Sequence, residues 1–330
     1  MRPLVIGITG ATGFVGRRFL HMAAERGHVV RCLVRPGSVG KLDPEMGTQN
    51  MGAHIVQGEL DSPDDLQRFV QGLDVVVHLA AHVAHGTQEQ YRRVNVEGSA
   101  NLCEAILAVN PDCLLVHCSS VAVLRRYRAL PFFNTLYTAS KAQAERAVRR
   151  YAAERALRAC YCYPGLVYGP RDDKFVPTLL KYIQRGALFK VSGGEQWAPL
   201  VYVDDLCRLL LHIVSAPAPL GRSYIGVGAQ EVGMHEFFRM LARRVLAKEA
   251  MRLTLPKHVL MPLALAVEGA YRLLGLQKMP LLSRRAVDVL SINLDPAIVR
   301  RANRGDWNAR TSLSAGLERT FDWLKRENRL

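Results

Sequence analysis

The chain has no apolar run of about 18 residues, the length that a membrane-spanning helix requires. The nearest stretch, Val259 to Val267, is half that and contains Pro262. No secretory leader is expected: Met1-Arg2-Pro3 runs straight into Leu4-Val5-Ile6-Gly7, a buried-strand pattern. Cysteine is present but unpaired in pattern. Seven cysteines is an odd count, and Cys160-x-Cys162 falls one residue short of a CxxC. Reduced thiols in a cytoplasm and no metal site are the expectation. Negative charge is the scarce sign, with 29 acidic against 44 basic residues and a net charge of +15. The scarcity is local: residues 1–80 hold 8 of each sign, whereas residues 251–330 hold 14 basic and 7 acidic ones. Nucleic acid or an anionic membrane surface fits such an excess, and a merely solvated surface is the plain alternative.

What is there is a globular composition, 49% hydrophobic and 22% charged, which excludes disorder and low-complexity arrays. At 330 residues the chain forms one large domain or two coupled ones and needs no disulfide staples. The first two-thirds alternates short apolar runs with helical patterns. Strands are read at 4–9, 29–34, 74–79, 113–118 and 159–163, and helices at 14–26, 63–71, 89–109 and 137–157. Strands that are apolar on both faces between helices indicate an α/β fold, a doubly wound parallel sheet covered on both sides. After about residue 170 Pro, Gly and isolated helices dominate. Residues 1–169, with 199–218 returning, are expected to form the dinucleotide-binding sheet domain. Residues 170–198 and 219–330 form a smaller, mostly helical lobe. In its last helix, 312–328, Leu313, Leu317, Phe321 and Leu324 share one face, and Ser312 is the N-cap.

Thr9-Gly10-Ala11-Thr12-Gly13-Phe14-Val15-Gly16 follows the first strand and opens the first helix. Small residues let the backbone approach a diphosphate, and a helix start offers free N–H groups and a positive dipole end. The spacing is GxxGxxG rather than GxGxxG, and its place in a βαβ unit supplies the specificity. The second strand ends in Arg35, where an NAD-selective site carries an acidic residue. A guanidinium suits a 2′-phosphate, so NADP is favoured; an arginine stacked over adenine leaves NAD open. Glu59 and Leu60 follow a third strand, which lies between the strand at 29–34 and the helix at 63–71 and makes the strand at 74–79 the fourth, and they flank the adenine position. Leu79, Ala80 and Ala81 end the fourth strand, where small side chains let a cofactor pass. His78, beside them, reads as a packed core histidine.

Tyr137-Thr138-Ala139-Ser140-Lys141 places a phenol and an ammonium four residues apart, on one helix face. A nearby positive charge favours tyrosinate, and a tyrosine so tuned exchanges protons with a carbonyl or alcohol. Cys118-Ser119-Ser120 ends a strand on the edge where α/β sheets bind ligands, and a serine there holds a reacting oxygen.

These segments occur in order with Asn95 in Val94-Asn95-Val96-Glu97-Gly98, with Pro164-Gly165-Leu166-Val167-Tyr168-Gly169-Pro170 and with Val201-Tyr202-Val203-Asp204-Asp205. The set resembles the extended short-chain dehydrogenase/reductase superfamily, NAD-dependent epimerase/dehydratase group, over about residues 3–215. The resemblance implies Tyr137 as general acid/base, Lys141 as the residue that holds the nicotinamide ribose and tunes Tyr137, and Ser120 as the catalytic serine, with Ser119 as fallback. It also implies Pro164 and Gly165 beside the nicotinamide, Val167 of the same motif among the cofactor residues, and Asn95 near the cofactor or pinning a helix.

Nucleotide-sugar epimerases resemble the chain but carry an asparagine where it has Leu166 and an arginine where it has Gln196-Trp197-Ala198-Pro199-Leu200. An apolar segment is a poor place for a diphosphate. Pro164-Gly165 and the apolar lobe look instead like the hydroxysteroid dehydrogenase and dihydroflavonol reductase branches. The expectation is a hydride-transferring oxidoreductase acting on a lipophilic or aromatic carbonyl or alcohol. The alternatives are a nucleotide-sugar epimerase/dehydratase and a non-catalytic cofactor-binding regulator, and the intact Ser/Tyr/Lys set counts against the latter. The Arg125-Arg126-Tyr127-Arg128 loop lines an entrance or is solvated. Residues 255–282 are a lid over an apolar pocket or an interfacial segment that touches a membrane peripherally. With the fold accounted for, nucleic acid is no longer needed to explain the charge. The superfamily resemblance also implies a homodimer through the helices at 89–109 and 137–157.

Overall fold

The computed structural model describes residues 2–42, 53–83, 86–124, 135–184, 190–191, 197–216, 220–245, 254–276, 280, 282–291, 294–303 and 305–330. In chain order the elements begin β1 (Val5–Thr9), α1 (Phe14–Glu25), β2 (Val29–Val34), β3 (His54–Gln57), α2 (Pro63–Val70) and β4 (Val75–His78). They continue with α3 (Gln88–Tyr91), α4 (Gly98–Val109), β5 (Leu114–Cys118), α5 (Val121–Leu124), α6 (Leu136–Glu154) and β6 (Ala159–Pro164). Next come β7 (Leu166–Tyr168), α7 (Phe175–Gln184), β8 (Lys190–Val191), β9 (Leu200–Tyr202), α8 (Val203–Val214) and β10 (Ser223–Gly226). The last are α9 (Met234–Val245), β11 (Thr254–Leu255), α10 (Lys257–Leu273), α11 (Arg284–Leu290), α12 (Pro296–Asn303) and α13 (Leu313–Arg326).

Seven strands form one parallel sheet in the order β10-β6-β5-β4-β1-β2-β3. The chain reverses its direction of travel between β1 and β4, which creates the crevice at the carboxyl edge where doubly wound sheets hold ligands. Val76, Val77, Leu115, Val116 and Cys160 are fully buried, because helices cover both faces. On those faces α1 packs against α8, α2 against α4, and α4 against α6. Arg18 clamps α1 to α8 through a two-pronged pair with Asp204, at 2.6 and 2.9 Å. Ser62 caps α2 by accepting from the Asp65 N–H, with Asp64 and Asp65 in the positive first turn. This is the α/β doubly wound fold that the strand–helix alternation predicts.

The helix expected at 89–109 is helical throughout, from Gln88 to Val109, but it is not α-helical along its whole length. A capping box of Thr87 and Gln90 opens α3, a π-helical turn occupies Arg92–Glu97, and α4 follows. Tyr91, Asn95, Gly98 and Leu102 are buried at ordinary helical spacing across that turn, so periodicity does not reveal it. The long helix expected at 137–157 ends at Glu154, because Ala156 turns to a positive φ of 55°.

The chain forms two compact units. The first comprises residues within 1–125, 136–165 and 203–226, and the second those within 126–135, 166–202 and 227–330. The expected boundaries at 169, 199 and 218 shift for a reason of pairing. Residues 223–226 join the sheet through β6, with Ser223 opposite Tyr161 and Gly226 opposite Pro164. Leu166–Tyr168 instead pair with Leu200–Tyr202 in a two-stranded ladder of the second unit. In that unit Ser312 caps α13 by accepting from the Ala315 N–H, and Leu313, Leu317, Phe321 and Leu324 are buried. The Arg125–Arg128 loop and Gln196 lie outside the described residues. No helix among the described residues is long and apolar enough to cross a membrane.

Candidate active site

Three glycines shape the turn after β1. Gly10 has a φ of +76°, and a Cβ there would sit 2.7 Å from the Ala80 nitrogen. A Cβ on Gly16 would meet the Gly10 carbonyl oxygen at 2.1 Å. Glycine at both positions draws the turn against the end of β4 and the first turn of α1 against the loop. Gly13 is the N-cap of α1, with no side-chain cap and no acidic residue in the first turn. The N–H groups at this helix start are therefore left for an external anion. Thr12, Phe14 and Val15 are half-buried around it. The residues present fit the diphosphate of a dinucleotide.

Arg35 is exposed immediately after β2, with no ion-pair partner among the described residues, and its carbonyl accepts from the Ser38 N–H to close the following turn. Glu59 and Leu60 are fixed by the Asp65 carboxylate, which accepts from the Glu59 N–H at 3.1 Å, and by Asn101, whose amide donates to the Leu60 carbonyl at 3.0 Å. Leu79, Ala80 and Ala81 are half-buried beyond β4. Gly165, following Pro164, donates to the Gly226 carbonyl at 2.8 Å, and Val167 lies in β7 of the second unit.

A buried hydrogen-bond chain runs beneath the glycine turn. Ser99 donates its one hydroxyl proton to the Asn95 carbonyl at 2.7 Å. The 3.0 Å contact from His78 Nε2 to Ser99 Oγ then requires Nε2 to carry the imidazole proton. Nδ1 consequently accepts from Thr9 Oγ1 at 2.7 Å, and Thr9 Oγ1 accepts from the Ala80 N–H at 3.3 Å. Desolvation, with Lys141 nearby, pushes the His78 pKa down to about 3, so it stays neutral as this assignment demands. His78 is thus a structural histidine with a defined tautomer.

Asn95 occupies the π-helical turn and is almost fully buried. Its Oδ1 accepts from the His82 N–H at 2.7 Å. Its Nδ2 donates to the His82 carbonyl at 3.2 Å and to Ser140 Oγ at 2.9 Å. Ser140 in turn donates to the Tyr137 carbonyl at 2.9 Å. The Asn95 amide is engaged by the loop after β4 and by the first turn of α6 rather than left open to a cofactor. It holds those two segments in register.

Lys141 is buried one turn after Tyr137 and donates from Nζ to the Cys118 carbonyl at 2.5 Å. That bond ties α6 to the carboxyl end of β5, immediately before the serine pair. Desolvation brings the Lys141 pKa down to about 8, against the opposing influence of Cys118 and Glu145. The two serines differ sharply. Ser119 is buried and donates to Glu145 Oε2 at 2.7 Å. Glu145 Oε1 also accepts from the Tyr163 hydroxyl at 2.6 Å and from Arg149 Nε at 2.9 Å. Ser120 is half-buried, and its hydroxyl oxygen accepts from the Ala122 N–H at 3.2 Å. The hydroxyl still available for chemistry is that of Ser120. Glu145 and Arg149 are not among the residues expected at the site, although they extend the Tyr137–Lys141 stripe at the same four-residue step.

All seven cysteines are buried free thiols, and the described residues contain no cluster able to hold a metal. Burial pushes Cys32, Cys103 and Cys113 up to about 12, so they are inert as nucleophiles.

Comparison with known proteins follows the same lines. The chain is 27% identical to the 3beta-hydroxysteroid-dehydrogenase/decarboxylase isoform 1 of Arabidopsis thaliana, over 96% of this chain and 78% of the relative. It is 29% identical to a 2-alkyl-3-oxoalkanoate reductase of Stenotrophomonas maltophilia, over 72% and 74% respectively. Its fold matches the crystal structure of DesIV, a dTDP-glucose 4,6-dehydratase of Streptomyces venezuelae with NAD bound, at a TM-score of 0.73 and 22% identity, covering 99% of this chain and 98% of that one. The model of the NAD dependent epimerase/dehydratase family matches residues 6–225, two-thirds of the chain, from within β1 to within β10. With the glycine turn, the Tyr137/Lys141 helix and the serine pair all within that span, the chain belongs to the NAD dependent epimerase/dehydratase family and is an enzyme of the extended short-chain dehydrogenase/reductase type.

Proposed function

We propose that the protein is an NADP-preferring oxidoreductase that interconverts a carbonyl and an alcohol on a lipophilic or aromatic substrate. When bound, the nicotinamide supplies or accepts the hydride. The Gly10–Gly16 turn holds the diphosphate on the α1 N-terminus, Arg35 pairs with the 2′-phosphate, and Lys141 meets the nicotinamide ribose. Ser120 donates a hydrogen bond to the reacting oxygen. Tyr137 gives that oxygen its proton in the reductive direction and removes it in the oxidative one. A desolvated Lys141 ammonium within one helical turn favours the tyrosinate and so brings the phenol toward the working pH.

The observation that carries this reading is the Lys141 bond to the Cys118 carbonyl. It brings the Tyr/Lys helix and the serine pair to one end of β5. The lipophilic substrate class draws on Leu166, which stands where nucleotide-sugar enzymes carry an asparagine, and on relatives named for hydroxysteroids and 2-alkyl-3-oxoalkanoates.

The test is turnover of a panel of ketones, sterols and nucleotide sugars, followed by nicotinamide absorbance with either cofactor. Lipophilic carbonyls are expected to turn over, NADPH to show the lower KM, and Tyr137→Phe to abolish the reaction. Full turnover by Tyr137→Phe removes the proton-transfer role. A lower KM for NADH removes the Arg35 assignment, and turnover confined to nucleotide sugars removes the substrate class.

A further inference from the structure

Helix α10 is oriented against its own composition. Its inward face is narrow, consisting of Leu260, Met261 and Ala264. Its outward face is apolar as well. Val259 is 50% exposed, Leu263 49%, Leu273 90% and Leu274 72%, with Leu276 just beyond at 49%. Pro262, Ala266 and Ala270 are exposed between them, so for most of its length the solvent-facing stripe carries no charge. The helix's only carboxylate, Glu268, is engaged by Arg284 at 2.8 Å, and Lys257 reaches Asp288 at 3.3 Å. The exposed charge at the apolar end is Arg272, which has no ion-pair partner among the described residues.

The end of the helix is closed in a way that suits an apolar surrounding. Gly275, at a φ of +66°, donates to the Arg272 carbonyl at 3.1 Å, and Leu276 donates to the Tyr271 carbonyl at 2.9 Å. These bonds satisfy the last backbone groups while placing Leu273, Leu274 and Leu276 on one protruding tip. Such a tip enters a lipid headgroup region without carrying unpaired backbone polar groups into it. A helix with an apolar face and basic residues at its rim is the pattern of an interfacial anchor.

Charge selects the occupant. The last 80 residues contain 14 basic and 7 acidic residues in a chain of net charge +15. A second copy brought to this face sets Arg272 against another chain of net positive charge, whereas an anionic bilayer neutralises it. We propose that the outer face of α10, with the Leu273–Leu274–Leu276 tip and Arg272, is a docking surface for an anionic lipid bilayer. The inference stands independently of the proposed chemistry.

The experiment is co-sedimentation of the full chain with vesicles of phosphatidylcholine alone and of phosphatidylcholine with 30 mol% phosphatidylglycerol, at low salt and at 0.5 M NaCl. Binding is expected to the anionic vesicles at low salt, weakening at high salt. Leu273→Asp combined with Leu274→Asp is expected to reduce the bound fraction at least tenfold, and Arg272→Glu severalfold. Because these side chains are exposed, the variants are expected to keep the wild-type melting temperature. Three results overturn the proposal: no vesicle binding by the wild type, equal binding by the double variant, or a wild-type dimer in sedimentation velocity that the double variant converts to monomer.

Discussion

Replacing Asn95 by alanine removes one amide that holds two segments. The His82 N–H loses its acceptor, the His82 carbonyl loses a donor, and Ser140 Oγ loses the proton it accepts. Ser140 keeps its own bond to the Tyr137 carbonyl, so the larger part of the cost falls on the His82 peptide groups. Leaving a buried polar group unpaired costs about 1–3 kcal/mol, and these groups are partly buried, so the expected loss is about 2–4 kcal/mol. At about 2–4 °C per kcal/mol for domains of 150–250 residues, the melting temperature falls by roughly 4–16 °C. The first turn of α6 loosens with it, and kcat is expected to drop about ten- to a hundredfold, with KM changing far less. Differential scanning fluorimetry and steady-state kinetics measure both effects. Ser140→Ala supplies the control, because the two side chains act on Tyr137 through one contact. Their double-mutant cycle should show a coupling of about 0.5–3 kcal/mol. An Asn95→Ala enzyme that melts within about 1 °C of wild type and keeps its kcat refutes the reasoning, as does strict additivity of the two substitutions.

Ser119→Ala is expected to cost stability, about 1–3 kcal/mol by denaturant unfolding, because it removes a buried donor to the Glu145 carboxylate, while kcat holds; Ser120→Ala is expected to do the reverse. Lys141 titrates near 8 in the folded protein against an ordinary value of 10.5, so between these values the unfolded chain binds more protons and stability attributable to this group rises with pH. Below pH 8 both states are protonated and the full penalty, about 3 kcal/mol, is present. Lys141→Met is therefore expected to lose activity yet match or exceed wild-type stability at pH 7, an advantage that shrinks toward pH 10 in parallel melts. His117, in register between His78 and Tyr161, is buried with neither ring nitrogen hydrogen-bonded among the described residues, and burial beside Lys141, His78 and Arg149 pushes its pKa well down. The folded state keeps it neutral while the unfolded chain protonates it below about 6.5, so its contribution to stability falls on acidification. His117→Phe is expected to be neutral or stabilising by about 1 kcal/mol at pH 7, and to flatten the acid limb of the melting curve. A large destabilisation at pH 7 shows that the ring has partners.

Much of the fold was legible in the sequence because its signals are local or periodic. The alternation of buried strands with helices, the glycine turn after β1 and the Ser312 cap with its stripe on α13 all depend on residues a few positions apart. The same holds for the Tyr137–Lys141 pair. The π-helical turn was hidden because the buried positions Tyr91, Asn95, Gly98 and Leu102 keep a three- to four-residue spacing across it. The unit boundaries were misplaced because β10 is only four residues long and is recognised through its ladder with β6.

The chemistry of the site is divided in the same way. The sequence by itself determined the parallel α/β sheet, the glycine turn at the start of the first helix and the candidate residues Ser119, Ser120, Tyr137 and Lys141, since spacing along a strand or helix places them on one edge or one face. Only the tertiary structure decided which serine is free, which nitrogen of His78 carries the proton, how far Lys141 is desolvated and what Asn95 holds. Those outcomes rest on side-chain contacts between residues 26, 69, 23 and 45 positions apart. Hydrogen-bond geometry and burial at such separations exist only once the chain has closed on itself, and no local pattern encodes them.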